Sequence, residues 1–462
     1  MIPPRLQPVL DEVRPVAEAL AGAGHRSYLV GGIVRDQLLG RDLGPDADLD
    51  LTTDATPPQI KAALGPVVDA IWTQGERFGT IGAKVGDRTF EVTTHRAESY
   101  DPASRKPSVA FGTDVHEDLA RRDFTVNAMA LELVVDGDPT LVDPFGGAVD
   151  LAAGVLRTPL APEVSFADDP LRMLRAARFV AGYHLEPVPE LVAAVRANAT
   201  RLEIVSAERI RDELDKLLVV EDPSAGLWFV VDTGLADLFL PELPAMRLEQ
   251  DPIHHHKDVL AHTIAVVAKT QPDRLLRLAA LLHDVGKPKT RSFAEGGVTF
   301  HHHEVVGARM ARDRMQALKY SSDDVAVVKQ LVYLHLRFHT YRLGWTDAAV
   351  RRFVRDAGDE LDRLIELTRC DCTTRNKRKA ETLARRMDEL EARIATLREQ
   401  EALDAIRPDL DGRQVMDHLG VPAGPIVGQA LDHLLELRLE EGPLGEEEAY
   451  ARLDAWWAAR QG

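Results

Sequence analysis

The chain reads as an α+β protein, a small α/β head with a mixed sheet and helices followed by an all-α remainder. Three observations lead there. Strand-like runs (YLV at 28–30, DADLDLTT at 46–53, TIGAKV at 80–85 and TFEVTT at 89–94) are confined to the first part of the sequence. Gly31-Gly32 follows the first of them and opens a helical stretch, IVRDQLLG, that stops at Gly40. After residue 150, Ala/Leu/Arg-rich segments with helical spacing dominate and strand signals almost vanish.

At 462 residues the chain exceeds the usual size of one domain. The expected divisions are a head at 1–148, a helical neck at 149–240, a third helical domain at 241–404 and a helical tail at 405–462. The proline-rich stretch Pro241, Pro244, Pro252 marks the second break, and turn signals (RPDLDG, GVPAGP) open the tail. No internal repeat of solenoid period is present. Hydrophobic residues at 45% and charged residues at 28% are ordinary for a soluble globular protein. No apolar run reaches the length of a membrane span, about 18 residues, and MIPPRLQPVLDEV lacks a secretory pattern. Cys370 and Cys372 are the only cysteines, too few for a disulfide framework, so a reduced, cytoplasmic setting is expected.

The net charge of −18 argues at face value against a nucleic-acid partner. A basic footprint can nevertheless be local. Arginines cluster at Arg121-Arg122, at Arg172, Arg175 and Arg178, and from Arg375 through Lys379.

The first chemical constellation is Gly31-Gly32, Arg35, then Asp48 and Asp50. On a strand, residues i and i+2 share a face, so the two carboxylates project together. They repel unless a cation lies between them, which is what two-metal phosphoryl transfer requires. A Gly-Gly turn before a helix lets the backbone approach a triphosphate, and Arg35, one turn in, can clamp a phosphate oxygen. A bare Asp-x-Asp is usually a solvated strand face; Gly-Gly, Arg and Asp-x-Asp in one strand–helix–strand unit reverse those odds. Asp46 is a rival within DADLD. Glu91, on a later strand, is a candidate third carboxylate against the plainer reading of a solvent-facing glutamate.

In RRDFTVNAMA (121–130), Arg122, Asp123 and Asn127 lie in an otherwise apolar stretch. Arginine offers bidentate donors to phosphate and aspartate accepts from a ribose hydroxyl, while Asp123 also suits a helix N-cap. In FADDPLRMLRAARF (166–179), Asp168 or Asp169 is a natural N-cap with Pro170 at the first helical position. Asp169 and Arg172 then share a helix face that Arg175 and Arg178 extend. Such a stripe is most often a salt-bridged surface. An Asp–Arg pair can also imitate a base-pairing partner and select a nucleotide without a template.

Taken together, GGIVRDQLLGRDLGPDADLDLTT, RRDFTVNAMA, LVDPFGG (141–147), DDPLRMLRAARF and AERIRDEL (207–214) resemble class II tRNA nucleotidyltransferases and bacterial poly(A) polymerases. The resemblance implies Mg²⁺ at Asp48 and Asp50, triphosphate contacts from Gly31, Gly32 and Arg35, and nucleotide contacts from Arg122, Asp123 and Asn127. It implies base reading by Asp169 and Arg172, with Arg175 and Arg178 supporting the pocket. The family pattern usually has Glu-Asp where this chain has Asp168-Asp169.

Farther on, LHDVGKP (282–288) carries His283-Asp284, with His262 upstream, His302-His303-Glu304 between and Asp371 downstream. Imidazoles and carboxylates in this grouping are ligands for a divalent metal. The segment resembles the HD phosphohydrolase superfamily, which implies His262, His283, Asp284 and Asp371 as ligands, with His303 near a second metal or the substrate phosphate. It also implies 2′,3′-cyclic phosphodiesterase, 2′-nucleotidase or phosphatase activity. The run His254-His255-His256 is a loop near the metal or a solvated segment. The basic run TRNKRKAETLARR (374–386) is a phosphate-tracking helix or a solvated one, with equal weight.

The expected function is template-independent addition of CCA to tRNA 3′ ends from CTP and ATP. Poly(A) synthesis and addition of only CC or only A share the same chemistry. A protein-modifying uridylyltransferase and an HD phosphohydrolase with an RNA-binding N-terminal part are the readings of other classes. Expected partners are tRNA or another RNA 3′ end, ATP and CTP, with no DNA and no membrane.

Overall fold

The structure, a computed structural model, describes residues 4–41, 44, 49–99, 108–135, 137–248, 258–294, 297–338, 345–372, 377–401 and 406–461. The chain divides into two compact units, Met1–Phe239 and Leu240–Gly462. Among the described residues, no helix is long and apolar enough to cross a membrane.

The first unit opens with α1 (Gln7–Gly22), β1 (Ser27–Val30), α2 (Gly32–Leu38) and β2 (Leu49–Thr53). Then come α3 (Pro57–Leu64), β3 (Ala70–Trp72), β4 (Thr80–Val85), β5 (Arg88–Thr94), β6 (Arg96–Ser99) and β7 (Ser108–Phe111). The head closes with α4 (Val115–Ala120), β8 (Ala130–Glu132), β9 (Thr140–Val142) and α5 (Gly147–Ala153). Seven strands form one mixed sheet in the order β3-β4-β5-β2-β1-β8-β9. Only β2 and β5 are parallel neighbours in it; the other pairs are antiparallel.

Alternation along the strands sets the faces. Leu49 and Leu51 of β2, Phe90 and Val92 of β5, and Ile81 and Ala83 of β4 are all buried, whereas Asp50 and Glu91 between them are exposed. β1, SYLV, is buried at every position, as suits a strand between β2 and β8. In α1, Val9, Val13, Val16 and Leu20 form the apolar stripe of an amphipathic helix. It packs on α3, and both touch the sheet.

Past the head, α6 (Pro162–Asp168), α7 (Arg172–Tyr183), α8 (Pro189–Asn198) and α9 (Ala207–Leu218) lead a helical segment. Met173, Leu174, Ala176, Ala177, Phe179 and Ala181 form the buried side of α7, with the Phe124 and Phe179 rings 5.0 Å apart. The sequence suggested a helix starting at Pro170. Asp169 is extended (φ −138°, ψ 100°), as suits an N-cap before proline; its carbonyl accepts from the Arg172 amide (3.0 Å), and the regular helix runs from Arg172. The strand expected over 46–53 is described from Leu49, and 45–48 lie outside the described residues. The helical remainder is interrupted by two short pairings, Val155–Leu156 with Glu186–Pro187 and the hairpin Arg291–Ala294/Gly297–Phe300.

The second unit is built on helix Arg274–Leu282, in which seven residues from Leu276 to Leu282 are buried. Arg277, 1% exposed, donates from Nε (3.2 Å) and Nη2 (3.0 Å) to the Thr270 carbonyl, so this buried cation is satisfied locally. Around it stand helices Val259–Lys269, His303–Ala317, Ser322–Leu334, Asp347–Ala357 and Leu361–Asp371, followed by Lys377–Glu401. Helices Gly412–Leu419, Pro425–Glu441 and Glu446–Gln461 share a separate small core of Leu410, Val415, Val427, Ala430, Leu434, Ala449 and Leu453.

Candidate functional sites

The parallel pairing of β2 with β5 places Asp50 directly opposite Glu91, both on the exposed face. Asp48 and its rival Asp46 lie outside the described residues. Gly31, at the turn from β1 into α2, has φ 76° and ψ −138°, a conformation that L side chains rarely adopt. A Cβ there would stand 3.1 Å from Arg122 Nη1 and 3.9 Å from Asp50 Oδ2. Gly31, Asp50 and Arg122 therefore converge, leaving backbone rather than side chain beside the carboxylate.

Arg122 is oriented by Asp118, whose Oδ2 accepts from its Nη2 (3.2 Å) while Oδ1 accepts from Arg121 (3.0 Å). Burial of Asp118 favours its neutral form, but the Arg122 and Arg121 guanidiniums outweigh burial and hold its carboxyl at about 2. The sequence reading missed Asp118. Its signal was its position three and four residues before Arg121 and Arg122 on one helical turn.

The other expected nucleotide residues are joined into a buried polar chain. Arg35, 6% exposed, donates from Nη1 to Asn127 Oδ1 (2.5 Å), from Nε and Nη2 to Asp36, and from Nη2 to the Tyr183 hydroxyl. Its guanidinium also lies 4.1 Å from the centre of the Tyr183 ring. Asn127 donates to Asp123 Oδ1 (2.9 Å), and Asp123 Oδ2 accepts from Arg175 Nε (2.8 Å) and Nη2 (2.6 Å). Burial opposes ionisation of Asp123, yet Arg175 and Asn127 prevail and hold it at about 2. Arg178 Nε donates to Glu213 Oε2 (2.9 Å), and Arg175 Nη1 lies 3.5 Å from Glu213 Oε1. Glu213, 3% exposed, also escaped the sequence reading, although it stands within AERIRDEL.

The Arg172 amide donates to the Asp169 carbonyl (3.0 Å), while the two side chains bond other partners. The Asp169 carboxylate accepts from the Leu171 amide (3.1 Å) and from Arg209 Nη2 (3.0 Å). Arg172 donates from Nη1 to Ser165 Oγ (2.9 Å) and from Nη2 to the Arg121 carbonyl (2.5 Å). The Arg121 link ties this turn directly to RRDFTVNAMA.

In the second unit the structure gathers His262, His283, Asp284, His303 and Asp371, and adds His335. All six sit at or near helix ends. His283 and His335 cap the C-termini of Arg274–Leu282 and Ser322–Leu334, His303 begins its helix and Asp371 ends Leu361–Asp371. Asp284 lies at the centre. Its Oδ2 is 3.2 Å from His283 Nε2, 3.8 Å from His262 Nε2 and 2.6 Å from Lys287 Nζ, while Oδ1 is 3.4 Å from His303 Nε2. Asp371 Oδ1 is 2.8 Å from His262 Nε2 and 3.5 Å from His283 Nε2.

The Nδ1 atoms of His283, His303 and His335 donate to the carbonyls of Ala280 (2.7 Å), Phe300 (2.8 Å) and Val332 (2.5 Å), each three residues earlier. That commits each Nδ1 as a donor and turns each Nε2 inward, and all three Nε2 atoms are buried without a hydrogen-bond partner. Burial works against a charged His283, but Asp284 and Asp371 raise it to about 10. Burial, and then the His283 charge, push His335 down to about 3. Two groups could each hold a cation, His262–His283–Asp284 and Asp284–His303–His335, sharing the Asp284 carboxylate. The donor set fits divalent metal ions. His335 was missed because LVYLHLRF reads as an apolar helix carrying one core histidine. His254, His255 and His256 lie outside the described residues.

Comparison with known proteins agrees in both units. Residues 27–157 match the Poly A polymerase head domain, 184–246 the Probable RNA and SrmB- binding site of polymerase A, and 254–397 the HD domain. The A-adding tRNA nucleotidyltransferase of Deinococcus radiodurans is 35% identical over 446 residues, 93% of this chain and 95% of that one. The CCA-adding enzyme of Bacillus subtilis is 36% identical over 282 residues, 61% of this chain and 66% of its own length. The crystal structure of the Bacillus stearothermophilus CCA-adding enzyme in complex with CTP superposes with a TM-score of 0.69 at 25% identity, covering 100% of this chain and 99% of that one. The Thermotoga maritima CCA-adding enzyme complexed with tRNA shares the fold, with a TM-score of 0.59 at 18% identity. The chain belongs to the family of tRNA nucleotidyltransferases and poly(A) polymerases, and it carries an HD domain.

Proposed function

We propose that the first unit adds nucleotides to tRNA 3′ ends from CTP and ATP, completing CCA, in a cytoplasmic setting consistent with the free thiols of Cys370 and Cys372. The observation that carries this reading is the exposed, registered pair Asp50–Glu91 beside Gly31 and Arg122. Asp48, Asp50 and Glu91 would hold Mg²⁺, which when bound neutralises triphosphate charge and lowers the proton affinity of the attacking hydroxyl. The triphosphate lies against the bare backbone at Gly31-Gly32, within reach of Arg122. Asp169 and Arg172 present an acceptor and a donor to the base edge. The buried chain from Arg35 to Arg178 fixes the angle of α7, and with it the base-reading turn.

Purified protein given tRNA lacking CCA, CA or A at its 3′ end, with labelled CTP or ATP, tests the reading. Incorporation of C, C and A in order supports it; poly(A) tails on unrelated RNA would overturn it. Asp50→Ala is expected to reduce incorporation about a thousandfold, from loss of several kcal/mol of charge stabilisation. A second reading, addition of A alone to an end already carrying CC, is favoured by the near full-length match to the Deinococcus radiodurans enzyme. Failure to use CTP with all three tRNAs would select it.

The proposed divisions remain head 1–148, neck 149–240, HD domain 241–404 and tail 405–462. For the HD domain we propose hydrolysis of phosphate esters at RNA 3′ ends or on nucleotides. The three unpartnered Nε2 atoms facing Asp284 support it. A divalent ion held there supplies an activated water. Loss of 2′,3′-cyclic nucleotide hydrolysis in His283→Ala, with incorporation retained, is the expected result.

A further inference from the structure

The row that contains Asp50 and Glu91 continues across the sheet. Glu91 pairs with Gly82 on β4, and Gly82 pairs with Trp72 on β3. Residues paired in register point to one face, so Trp72 shares the face of the carboxylates. The indole confirms it. Trp72 Nε1 and Cε2 stand 1.9 and 2.0 Å from where a Cβ on Gly82 would be, so the ring lies over the gap that this glycine leaves. Trp72 nevertheless remains 36% exposed. With strands about 4.8 Å apart, the ring over Gly82 is one strand from Glu91 and roughly 10 Å from Asp50. Lys84, exposed and two residues beyond Gly82, lies on the same face.

The direction of the reaction gives this aromatic a partner. Gly31 and Arg122 flank Asp50 on its β1 side, and β5, β4 and β3 lie on the other side of β2. In an in-line displacement the attacking and leaving oxygens lie on opposite sides of phosphorus. A triphosphate seated against Gly31 and Arg122 directs its pyrophosphate toward β1. The attacking RNA hydroxyl then arrives over β5, next to Glu91, and its base falls over β4 and β3.

We propose that Trp72 is the platform on which the 3′-terminal base of the acceptor RNA stacks, with Lys84 meeting the RNA backbone. The assignment rests on the nucleotide placement proposed above. A stacking face accepts any base, because every base has a π surface. That suits an acceptor whose last base changes as its end grows. Trp72 is a positioning residue: it holds the nucleotide that carries the reacting hydroxyl.

The test uses the full chain and a tRNA lacking its end, with 2-aminopurine as its last base. Binding to the wild-type protein, and equally to Asp50→Ala, is expected to quench 2-aminopurine fluorescence, so the readout does not depend on turnover. Trp72→Ala is expected to abolish most of the quenching and raise KM for the RNA about tenfold, with KM for ATP unchanged. Trp72→Phe should retain quenching. Trp72→Leu, which keeps apolar cover over Gly82, should lose it at an unchanged melting temperature, so the test survives if the alanine variant fails to fold. Unchanged quenching in Trp72→Leu overturns the proposal, as does a rise in KM for ATP instead of RNA. Undiminished incorporation by Asp50→Ala would instead overturn the placement of the nucleotide.

Discussion

Along the chain from Arg35 through Asn127, Asp123 and Arg175 to Glu213, each charge meets an opposite charge or a neutral partner from another element. Around Asp284, by contrast, three buried imidazoles turn Nε2 atoms toward a common centre and find no hydrogen bond. Both regions are rich in ionisable groups, so composition does not separate them. What separates them is whether hydrogen-bonding capacity is used up inside the protein. A saturated network braces the elements it joins, and an unsatisfied one is shaped for a ligand.

Removing one member of the saturated network should have the largest effect. Glu213→Ala leaves Arg175 and Arg178 without their shared carboxylate and should cost roughly 3–5 kcal/mol in urea denaturation. A loss below 1 kcal/mol would show that the network is not the brace. In the second unit the effect should run the other way. A divalent ion at a hundredfold excess over its Kd should stabilise the protein by about 2.7 kcal/mol, read as a rise in melting temperature. His335→Ala should diminish the rise; equal rises in wild type and His283→Ala would place the ion elsewhere.

Acid should also distinguish the regions. Asp118 and Asp123 have folded-state values of about 2, below their unfolded values. Their stabilisation is therefore complete above pH 4 and is lost as pH falls toward 2, about 2 kcal/mol for each group. Asp123→Asn should flatten that limb of the stability curve, and an unchanged slope would contradict the pairing. The smallest effect belongs to Arg209→Ala. Its exposed pairing with Asp169 should contribute under 1 kcal/mol, while freeing the Asp169 carboxylate should alter the ATP-to-CTP incorporation ratio severalfold.

Much of this arrangement was legible in the sequence. TIGAKV and TFEVTT became β4 and β5, with alternation matched by burial at Phe90, Glu91 and Val92 and broken in β4 by the buried Gly82. His283 and Asp284 were legible because HDVGK is a short, specific string, and the HD resemblance implied His262 and Asp371, which lie beside them. Two kinds of information were not legible. Periodicity does not reveal that Glu213, within α9, is enclosed by arginines from another helix. Nor does a histidine in LVYLHLRF declare that its ring faces an aspartate contributed by a distant turn. Asp169 was legible for a local reason: proline suits the first turn of a helix, and it pushes the residue before it into the extended conformation that an N-cap adopts.

The register between β2 and β5 has a consequence for how the enzyme can fail. Side chains alternate faces, so a slip of β2 by one residue would turn Asp50 into the core and Leu51 out to water, leaving Glu91 without its partner. The pairing acts as a parity check, passing a sheet with its full acidic row or rejecting it. Mutations that loosen this sheet should therefore lower the fraction of competent molecules counted by active-site titration, while those that remain turn over at the wild-type rate.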